Sequence, residues 1–266
     1  MMDRWSWLFP WLAVVFAAAV FMLFGLVWWR ALLVACLLVC VALLLWGLFL
    51  TLLKSDEPVV HTHGMTMDWA APFYDVYCRA VGLGQGFRDQ TLRVAAIRAG
   101  ETILDVGCGT GVLTRRAGEA AGPAGAATGI DPGQGMIRVA KKNAQRLGSR
   151  AAFKVAAIER LPFEDGRFDV VLASLMLHHL PPDLKRQGLR EVYRVLKSGG
   201  RFIVADFYRP ANPLWWLVAW PFLFIPMTAD NFRGTLPDYF REAGFDPVQV
   251  NVRRAGILAF WCAIKP

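Results

Sequence analysis

Two hydrophobic patterns divide the chain near residue 54. Residues 5–29 carry no charged side chain, residues 31–53 carry none either, and only Arg30 separates the two runs. From residue 65 onward, short apolar runs typical of buried strands alternate with amphipathic stretches typical of helices. The first pattern indicates a bilayer environment, and the second indicates a folded α/β domain.

The N-terminal runs predict a membrane anchor over residues 1–53. A transmembrane helix needs about 20 apolar residues, so each run is long enough to span a bilayer by itself. We expect a helical hairpin, and one span followed by a re-entrant half is the alternative. A cleaved signal peptide is disfavoured, because its apolar core has only about 7 to 15 residues. Residues 54–64 predict a linker, since charges, Pro58 and Gly64 appear together there.

Residues 65–266 predict one domain in which strands and helices alternate. Strands that are apolar throughout and alternate with helices indicate a doubly wound, mostly parallel sheet covered on both faces. Ligands of such folds bind at the carboxyl ends of the strands, where the strand order reverses. The predicted strands are 102–107, 126–131, 151–157, 168–175, 201–207, 246–252 and 256–265, and the main predicted helices are 113–122, 135–148, 183–200 and 236–245.

Charge and cysteine content narrow the possible partners. Residues 1–60 contain three acidic and three basic side chains, so the net charge of +8 belongs to residues 61–266. A basic domain tethered to a membrane is attracted to anionic lipid headgroups. Nucleic-acid binding is disfavoured, because no arginine-aromatic motif or zinc spacing is present. The five cysteines form no CxxC pair and point weakly to a reducing compartment.

Three glycines alternate directly after the first predicted strand. Gly107, Gly109 and Gly111 form a G-x-G-x-G pattern, in which the absence of Cβ atoms allows a sharp turn and a close approach of a ligand. A dinucleotide-binding loop requires G-x-G-x-x-G, whereas Val112 follows the third glycine here. The lysine and hydroxyl residue of a phosphate-binding P-loop are also missing.

The stretch "LDVGCGTG" resembles motif I of the class I S-adenosylmethionine-dependent methyltransferases, in the small-molecule branch similar to quinone C-methyltransferases. The resemblance covers roughly residues 65–266 and includes the ordered blocks "TGIDPGQGMI", "RLPFEDGRFDVVLASLMLHHL" and "LREVYRVLKSGGRFIVADF". It implies a seven-stranded Rossmann-like sheet with S-adenosylmethionine as cofactor. In the family, an acidic residue that closes the second strand binds the ribose hydroxyls. This role falls on Asp131, and a carboxylate suits it because it accepts two hydrogen bonds.

The resemblance also implies the remaining cofactor contacts. One position departs from the pattern, because Ala157 stands where the family usually carries an aspartate that binds the adenine amino group. We therefore expect either that backbone groups such as that of Ile158 recognise adenine or that the affinity for the cofactor is reduced. Asp105 is expected either to contact the amino-acid part of the cofactor or only to orient the glycine loop. The predicted cofactor-binding residues are Asp105, Gly107, Cys108, Gly109, Gly111, Asp131, Pro132, Met136, Ala157, Ile158 and Ser174.

The catalytic candidates are Tyr74, His178 and His179. Tyr74 lies before the first strand, where related enzymes place a lid, and it either closes over the sulfonium or packs as an ordinary aromatic residue. A neutral imidazole after the fourth strand can take a proton from the substrate, although a structural role of both histidines is the favoured alternative. His61 and His63 form an H-x-H pattern without a third ligand, so we predict no metal site.

Residues 213–226 predict an apolar cover over the substrate site, with a buried core helix as the alternative. The segment is too short to span a bilayer and is interrupted by Pro221. Trp215, Trp216 and Trp220 suit a membrane interface.

We therefore expect a membrane-anchored methyltransferase facing the cytoplasm, acting on a hydrophobic small molecule or lipid: a head-group amine, a quinone-like ring or a thiol. A non-catalytic cofactor-binding or regulatory protein is the alternative, and the sequence leaves the oligomeric state open.

Overall fold

The computed structural model describes residues 60–266 and, nearer the N-terminus, residues 33, 34, 36–38, 40 and 41; the side chains of residues 218 and 247–251 are not described. The chain divides into two units, Met1–Lys54 and Ser55–Pro266. The described residues of the first unit are helical, and Leu33, Leu37 and Leu38 are each 63% exposed. Within the described residues, no helix combines the length and apolarity needed to cross a bilayer. Apart from these few residues, the predicted anchor lies outside the described part of the chain.

A seven-stranded sheet forms the centre of the second unit, in the order β3-β2-β1-β4-β5-β7-β6. The strands from β3 to β5 pair in parallel, whereas β7 is antiparallel to both of its neighbours. This arrangement confirms the predicted mostly parallel sheet. The strands are β1 Thr102–Val106, β2 Ala126–Asp131, β3 Ala152–Val155, β4 Phe168–Ser174, β5 Leu196–Phe207, β6 Asp246–Arg254 and β7 Leu258–Ile264.

Eight α-helices lie among the described residues of this unit. They are α1 Tyr74–Ala80, α2 Gln85–Ala95, α3 Val112–Ala121, α4 Gln134–Arg146, α5 Pro182–Val195, α6 Pro213–Ala219, α7 Pro226–Arg233 and α8 Leu236–Glu242. Short 3₁₀ helices occupy Asp68–Ala70, Leu177–His179 and Trp220–Phe224. Helix α6 and the last of these 3₁₀ helices make up most of the predicted cover segment.

Apolar clusters on both faces of the sheet stabilise the fold. Leu104, Val171 and Val204 belong to one cluster, while Ile103 and Leu172 belong to another, and all five side chains are fully buried. Neighbouring residues of one strand thus point to opposite faces and are buried on both. The continuous hydrophobic runs in the sequence have this physical cause.

The helix predicted over residues 183–200 is wrong at its C-terminal end. Helix α5 ends at Val195, and strand β5 begins at Leu196. The Gly199 amide, in a residue with φ of +73°, donates to the Lys265 carbonyl at 2.8 Å, and the Lys265 amide donates to the Gly200 carbonyl at 2.9 Å. Pairing with the end of β7 therefore overrides the local helical pattern in this segment.

Candidate active site

Two adjoining crevices open where the carboxyl ends of β1 and β4 meet, the point at which the strand order reverses. We name them the Asp131 crevice and the Arg88 crevice. Tyr74, Gly107, Gly109 and Leu175 line both. The Asp131 crevice is further lined by Met65, Thr66, Met67, Val106, Asp131, Pro132, Met136, Ala156, Ile158, Glu159, Met176, His179 and Leu180. The Arg88 crevice is further lined by Cys78, Leu83, Phe87, Arg88, Asp105, Cys108, Thr110, Val112, Leu113 and Ser174.

The three alternate glycines all have positive φ angles, but each lies against a different neighbour. A Cβ atom on Gly107 (φ +68°) would lie 2.7 Å from Met176 Cβ, and one on Gly109 (φ +54°) would lie 3.5 Å from Tyr74 Cε1. At Gly111 (φ +76°) it would lie 2.5 Å from the Phe153 ring. Gly107 and Gly109 therefore keep the crevices open, whereas Gly111 lets α3 pack against the sheet.

Asp131 closes β2 and is fixed by two backbone amides. Its Oδ2 accepts from Gly109 N at 3.0 Å, and its Oδ1 accepts from Gly133 N at 2.8 Å. Burial, together with the charge of Asp68, raises the pKa of Asp131 to about 6 against the effect of these two hydrogen bonds. The remaining lone pairs of the carboxylate are free for a pair of hydroxyl groups.

Asp105 is buried at the end of β1. Its Oδ2 accepts from the Thr114 hydroxyl at 2.6 Å, which ties the strand to the first turn of α3. Burial raises the pKa of Asp105 to about 7. The residue lines the Arg88 crevice as well, so its structural contact and the predicted cofactor contact are compatible.

Asp68 is a site residue that the sequence analysis missed. Its Oδ1 accepts from Met136 N at 3.1 Å in the first turn of α4, where the N-cap Gly133 has no side chain. Cβ atoms on Gly133 and Gly135 would lie 2.7 and 2.9 Å from that oxygen, so both glycines allow its approach. Asp68 lies 68 residues from Met136, and no local pattern marks so distant a helix cap.

His178 and Asp206 form a pair behind the crevice. Asp206 is fully buried at the end of β5, and its Oδ1 lies 2.7 Å from His178 Nδ1. Its oxygens also accept from Leu177 N at 2.8 Å and Phe207 N at 2.7 Å. Burial alone raises the pKa of Asp206, but His178 and the Phe207 amide outweigh it and hold the pKa below its usual value. The pair thus fixes the 3₁₀ turn that follows β4.

His179 and Tyr74 are the catalytic candidates that line the Asp131 crevice, whereas His178 does not. The His179 ring lies 4.1 Å from the His178 ring, and its Nδ1 has no hydrogen-bond partner among the described residues. Burial, together with the neighbouring His178, lowers the pKa of His179 to about 4, so the imidazole is neutral at pH 7. Burial and the neighbouring Cys78 raise the pKa of Tyr74, which keeps the phenol protonated.

The structure brings most of the other predicted cofactor residues to the crevices. Pro132, Met136 and Ile158 line the Asp131 crevice, and Cys108 and Ser174 line the Arg88 crevice. Among the lining residues described, neither Gly111 nor Ala157 appears. Gly111 packs against Phe153 instead, and Ala157 is buried behind the crevice wall.

Arg88 is a second residue that the sequence analysis did not single out. It lines its crevice together with Asp105 and Thr110. Its guanidinium lies 3.4 Å from the Asp75 carboxylate, which also accepts from Thr110 Oγ1 at 2.8 Å. Arg88 belongs to α2, before the glycine loop, and an isolated arginine in an amphipathic helix gives no sequence signal. In the part of the chain that is described, no group of three or more His, Cys, Asp or Glu residues is arranged to hold a metal ion.

Comparisons with known proteins identify the chemistry of this site. Residues 103–200 match the family described as "Methyltransferase domain". A ubiquinone/menaquinone biosynthesis C-methyltransferase UbiE of Ectopseudomonas mendocina is 32% identical over 208 residues, which cover 70% of this chain and 80% of the relative. The corresponding protein of Pseudomonas savastanoi pv. phaseolicola is 31% identical over 208 residues, with the same coverage. The chain is a class I S-adenosylmethionine-dependent methyltransferase. The predicted family and enzyme class are confirmed, and the non-catalytic alternative is wrong.

Solved structures show the same fold. The methyltransferase superimposes on a SAM-dependent methyltransferase from Aquifex aeolicus with a TM-score of 0.61 at 18% identity, covering 76% of this chain and all of that one. Phosphoethanolamine N-methyltransferase 2 of Haemonchus contortus, solved in complex with S-adenosyl-L-methionine, gives a TM-score of 0.53 at 15% identity over 69% of this chain and 53% of that one. The predicted cofactor is confirmed, and the partly buried, amide-fixed carboxylate of Asp131 beside the glycine loop suits the ribose of such a nucleoside.

Proposed function

We propose that this methyltransferase acts on a hydrophobic acceptor held in or at a membrane, and that a quinone-like ring is the favoured acceptor. A lipid head-group amine or a hydrophobic thiol is the alternative. The observation that carries the proposal is a set of exposed apolar side chains beside the crevices. The quinone-like acceptor is supported by the relatives, which are ubiquinone/menaquinone biosynthesis C-methyltransferases.

The exposed apolar side chains lie in the cover segment, residues 213–226, and in the lid segment, which we define as residues 65–81. In the cover, Leu214 and Leu217 are each 71% exposed and Phe224 is 72% exposed. In the lid, Trp69 is 60% exposed and Val76 is 58% exposed. Apolar surface of this extent on a folded domain marks a site of contact with a protein or a membrane.

The turn between β6 and β7 brings the two segments to the same end of the sheet. Arg254 donates from Nη2 to the Gly82 carbonyl, just after the lid, at 3.1 Å. Gly256 lies so close to Trp215 of the cover that a Cβ atom would be 2.5 Å from the indole ring. Because β7 begins where β5 ends, this turn lies at the carboxyl edge of the sheet, where the crevices open.

Basic side chains accompany the apolar ones at this edge. Arg253 is exposed near the end of β6, and its Nη1 donates to the Arg209 carbonyl at 2.9 Å. A positively charged, apolar surface is attracted to anionic headgroups and gains free energy when its apolar side chains leave water. This face therefore suits a lipid surface that contains the acceptor.

The protein's part in the reaction is to align the two substrates and exclude water. When bound, the cofactor supplies an electrophilic methyl group on a sulfonium. Asp131 would accept hydrogen bonds from the ribose hydroxyls. The guanidinium of Arg88 would form an ion pair with the carboxylate of the cofactor's amino-acid part. Gly107 and Gly109 admit this part to the backbone of the loop. Positioning of this kind supplies much of the acceleration in an in-line displacement.

Tyr74 and His179 both line the Asp131 crevice, and Tyr74 lines the Arg88 crevice as well. The hydroxyl of Tyr74 is protonated, and the face of its aromatic ring can attract the positive charge of a sulfonium. His179 is neutral at pH 7, but a pKa of about 4 makes it a weak base. We therefore infer that His179 accepts a hydrogen bond from the molecule that is methylated. The His178–Asp206 pair holds the turn that contains His179 in place.

The membrane anchor over residues 1–53, the linker over residues 54–64 and the cytoplasmic placement of the catalytic domain belong to the same proposal. Their support is the length of the two uncharged runs and the exposure of Leu33, Leu37 and Leu38 on described helical residues. S-Adenosylmethionine is made in the cytosol, which supports a catalytic domain on that side. An anchor would hold the apolar face close to an acceptor that partitions into the bilayer.

The test is transfer of labelled methyl groups into a total membrane extract by the full chain. We expect the label in a molecule that organic solvent extracts, and we expect the Asp131→Ala variant to transfer none above background. Mass spectrometry of the labelled product identifies the acceptor. Label found only in protein, RNA or water-soluble metabolites would contradict the proposal.

A further inference from the structure

We propose that the carboxylate of Glu159 accepts a hydrogen bond from the 6-amino group of the cofactor's adenine, a role for which Ala157 has no side-chain acceptor. The inference replaces the expectation that only backbone groups such as that of Ile158 recognise adenine. It rests on the assignment of S-adenosylmethionine as cofactor and does not depend on the identity of the acceptor molecule.

The observation that carries this inference is an unpartnered carboxylate. Glu159 lines the Asp131 crevice, and both of its carboxylate oxygens are shielded from water. Neither oxygen has a hydrogen-bond partner among the described residues. A buried acidic group without a partner is destabilising, so its retention at a binding crevice indicates that a ligand supplies the donor.

The backbone on both sides of Glu159 is fixed. Its carbonyl accepts from Gln187 Nε2 of α5 at 3.0 Å. Two residues later, the Leu161 amide donates to Glu191 Oε2, also of α5, at 2.8 Å. The segment after β3 is therefore held against α5 independently of the Glu159 side chain, which leaves the carboxylate free to bind a ligand.

Two other acceptors near Glu159 already accept hydrogen bonds from the backbone. Asp131 is the second acidic side chain that lines the crevice, and both of its oxygens accept backbone amides while they face the ribose site. The carbonyl of Ala157 accepts from Arg160 N at 3.4 Å. Among the described lining residues, Glu159 thus provides the carboxylate that has no partner.

The chemistry of the two groups is complementary. The adenine amino group donates two hydrogens, and a carboxylate is an acceptor without a donor. A purine with a 6-oxo group would place a second acceptor against the carboxylate. Glu159 would therefore select adenine over hypoxanthine or guanine. With either of these bases, the carboxylate and the 6-oxo group would both be buried acceptors without a donor between them.

A double-mutant cycle tests the proposal. Isothermal titration calorimetry of the full chain in detergent would measure the Kd of S-adenosylhomocysteine and of its analogue that lacks the 6-amino group. For the wild type, we expect the analogue to bind about 10- to 100-fold more weakly, the usual range for a hydrogen bond to a charged group. Glu159→Ala should weaken binding of S-adenosylhomocysteine by a similar factor and should show no further loss with the analogue.

Two controls keep the outcome decisive. Glu164→Ala removes the same charge from an exposed position five residues away, and it should leave both Kd values unchanged. Glu159→Gln preserves the size of the side chain and removes an unpaired buried charge, so its melting temperature should equal or exceed that of the wild type. The assignment would be overturned if removal of the 6-amino group raised the Kd by the same factor in the wild type and in Glu159→Ala. It would also be overturned if Glu159→Gln lowered the melting temperature by several degrees. A wild type that binds no S-adenosylhomocysteine would instead contradict the cofactor assignment itself.

Discussion

At the scale of single residues, Asp131 links cofactor affinity to pH. Burial raises its pKa to about 6 from the model-compound value of 3.8, so the protonated form accumulates below pH 6. A protonated carboxyl accepts fewer hydrogen bonds from the ribose hydroxyls. We expect the Kd of S-adenosylhomocysteine to rise about tenfold between pH 7 and pH 5, as calorimetry would show.

The Asp131→Asn variant is the control for this pH dependence. It should bind more weakly at pH 7 and should show little change between pH 7 and pH 5, because its side chain does not titrate. Asp105, whose pKa burial raises to about 7, is the competing titrating group. A midpoint near pH 7 that persists in Asp131→Asn would assign the dependence to Asp105 and refute the prediction for Asp131.

Gly111 lies where close packing restricts the residue type to glycine. A methyl group there meets the Phe153 ring at 2.5 Å and Ala140 Cβ at 3.0 Å, with φ at +76°. Overpacking and the left-handed backbone together should cost Gly111→Ala about 3 kcal/mol in the free energy of unfolding. Urea titration followed by circular dichroism measures this loss.

The matched variant Gly148→Ala isolates the backbone contribution. Gly148 has a φ of +63°, and its Cβ would meet no atom within 4 Å. It should therefore lose only about 1 kcal/mol. Equal losses for the two variants would show that contact with Phe153 contributes nothing.

At the scale of elements, the cover helix α6 is expected to contact the membrane. Replacing both Leu214 and Leu217 with glutamate adds charge to its exposed apolar face. With the full chain reconstituted in anionic vesicles, methyl transfer to an acceptor in the bilayer should fall roughly tenfold or more. The Kd of S-adenosylhomocysteine should stay unchanged, since neither leucine lines a crevice.

Leu147→Glu provides the comparison for the cover. Leu147 is 52% exposed, but it follows the C-terminal end of α4, at the opposite edge of the sheet. Its replacement should leave methyl transfer in vesicles near the wild-type rate. Similar losses at Leu147 and at the cover would mean that charge anywhere on the surface impairs the enzyme, and the cover would have no specific role.

At the scale of the whole molecule, the uncharged runs in residues 1–53 predict that the chain is recovered with the membrane and not in the soluble fraction. A polypeptide with two spans should stay in the membrane pellet after extraction with alkaline carbonate and should dissolve only in detergent, because its apolar helices are buried in hydrocarbon. Immunoblotting of pellet and supernatant measures this. Release by carbonate would indicate a peripheral attachment through the apolar face and would contradict the anchor.

The sequence by itself determined the order of the elements, the parallel character of the sheet and the chemical class of the site. Continuous apolar strands and the glycine loop before Val112 are local features, because burial on two faces and positive φ angles restrict the residue types directly. The resemblance of this loop and of the later blocks to a known family implied Asp131 and the cofactor. The end of α5 was predicted wrongly, since Leu196 pairs with Phe168 of β4, and Gly199 and Gly200 form hydrogen bonds with the distant Lys265, just after β7.

Only the tertiary structure decided which polar groups meet. It placed Asp68 on the amide of Met136, paired His178 with Asp206, and left both oxygens of Glu159 without a partner among the described residues. The residues of the first two contacts are 68 and 28 positions apart, and no short-range pattern encodes such distances. Burial then set the protonation of Asp131 and His179, because the cost of removing a charge from water depends on the surrounding fold and not on the residue alone.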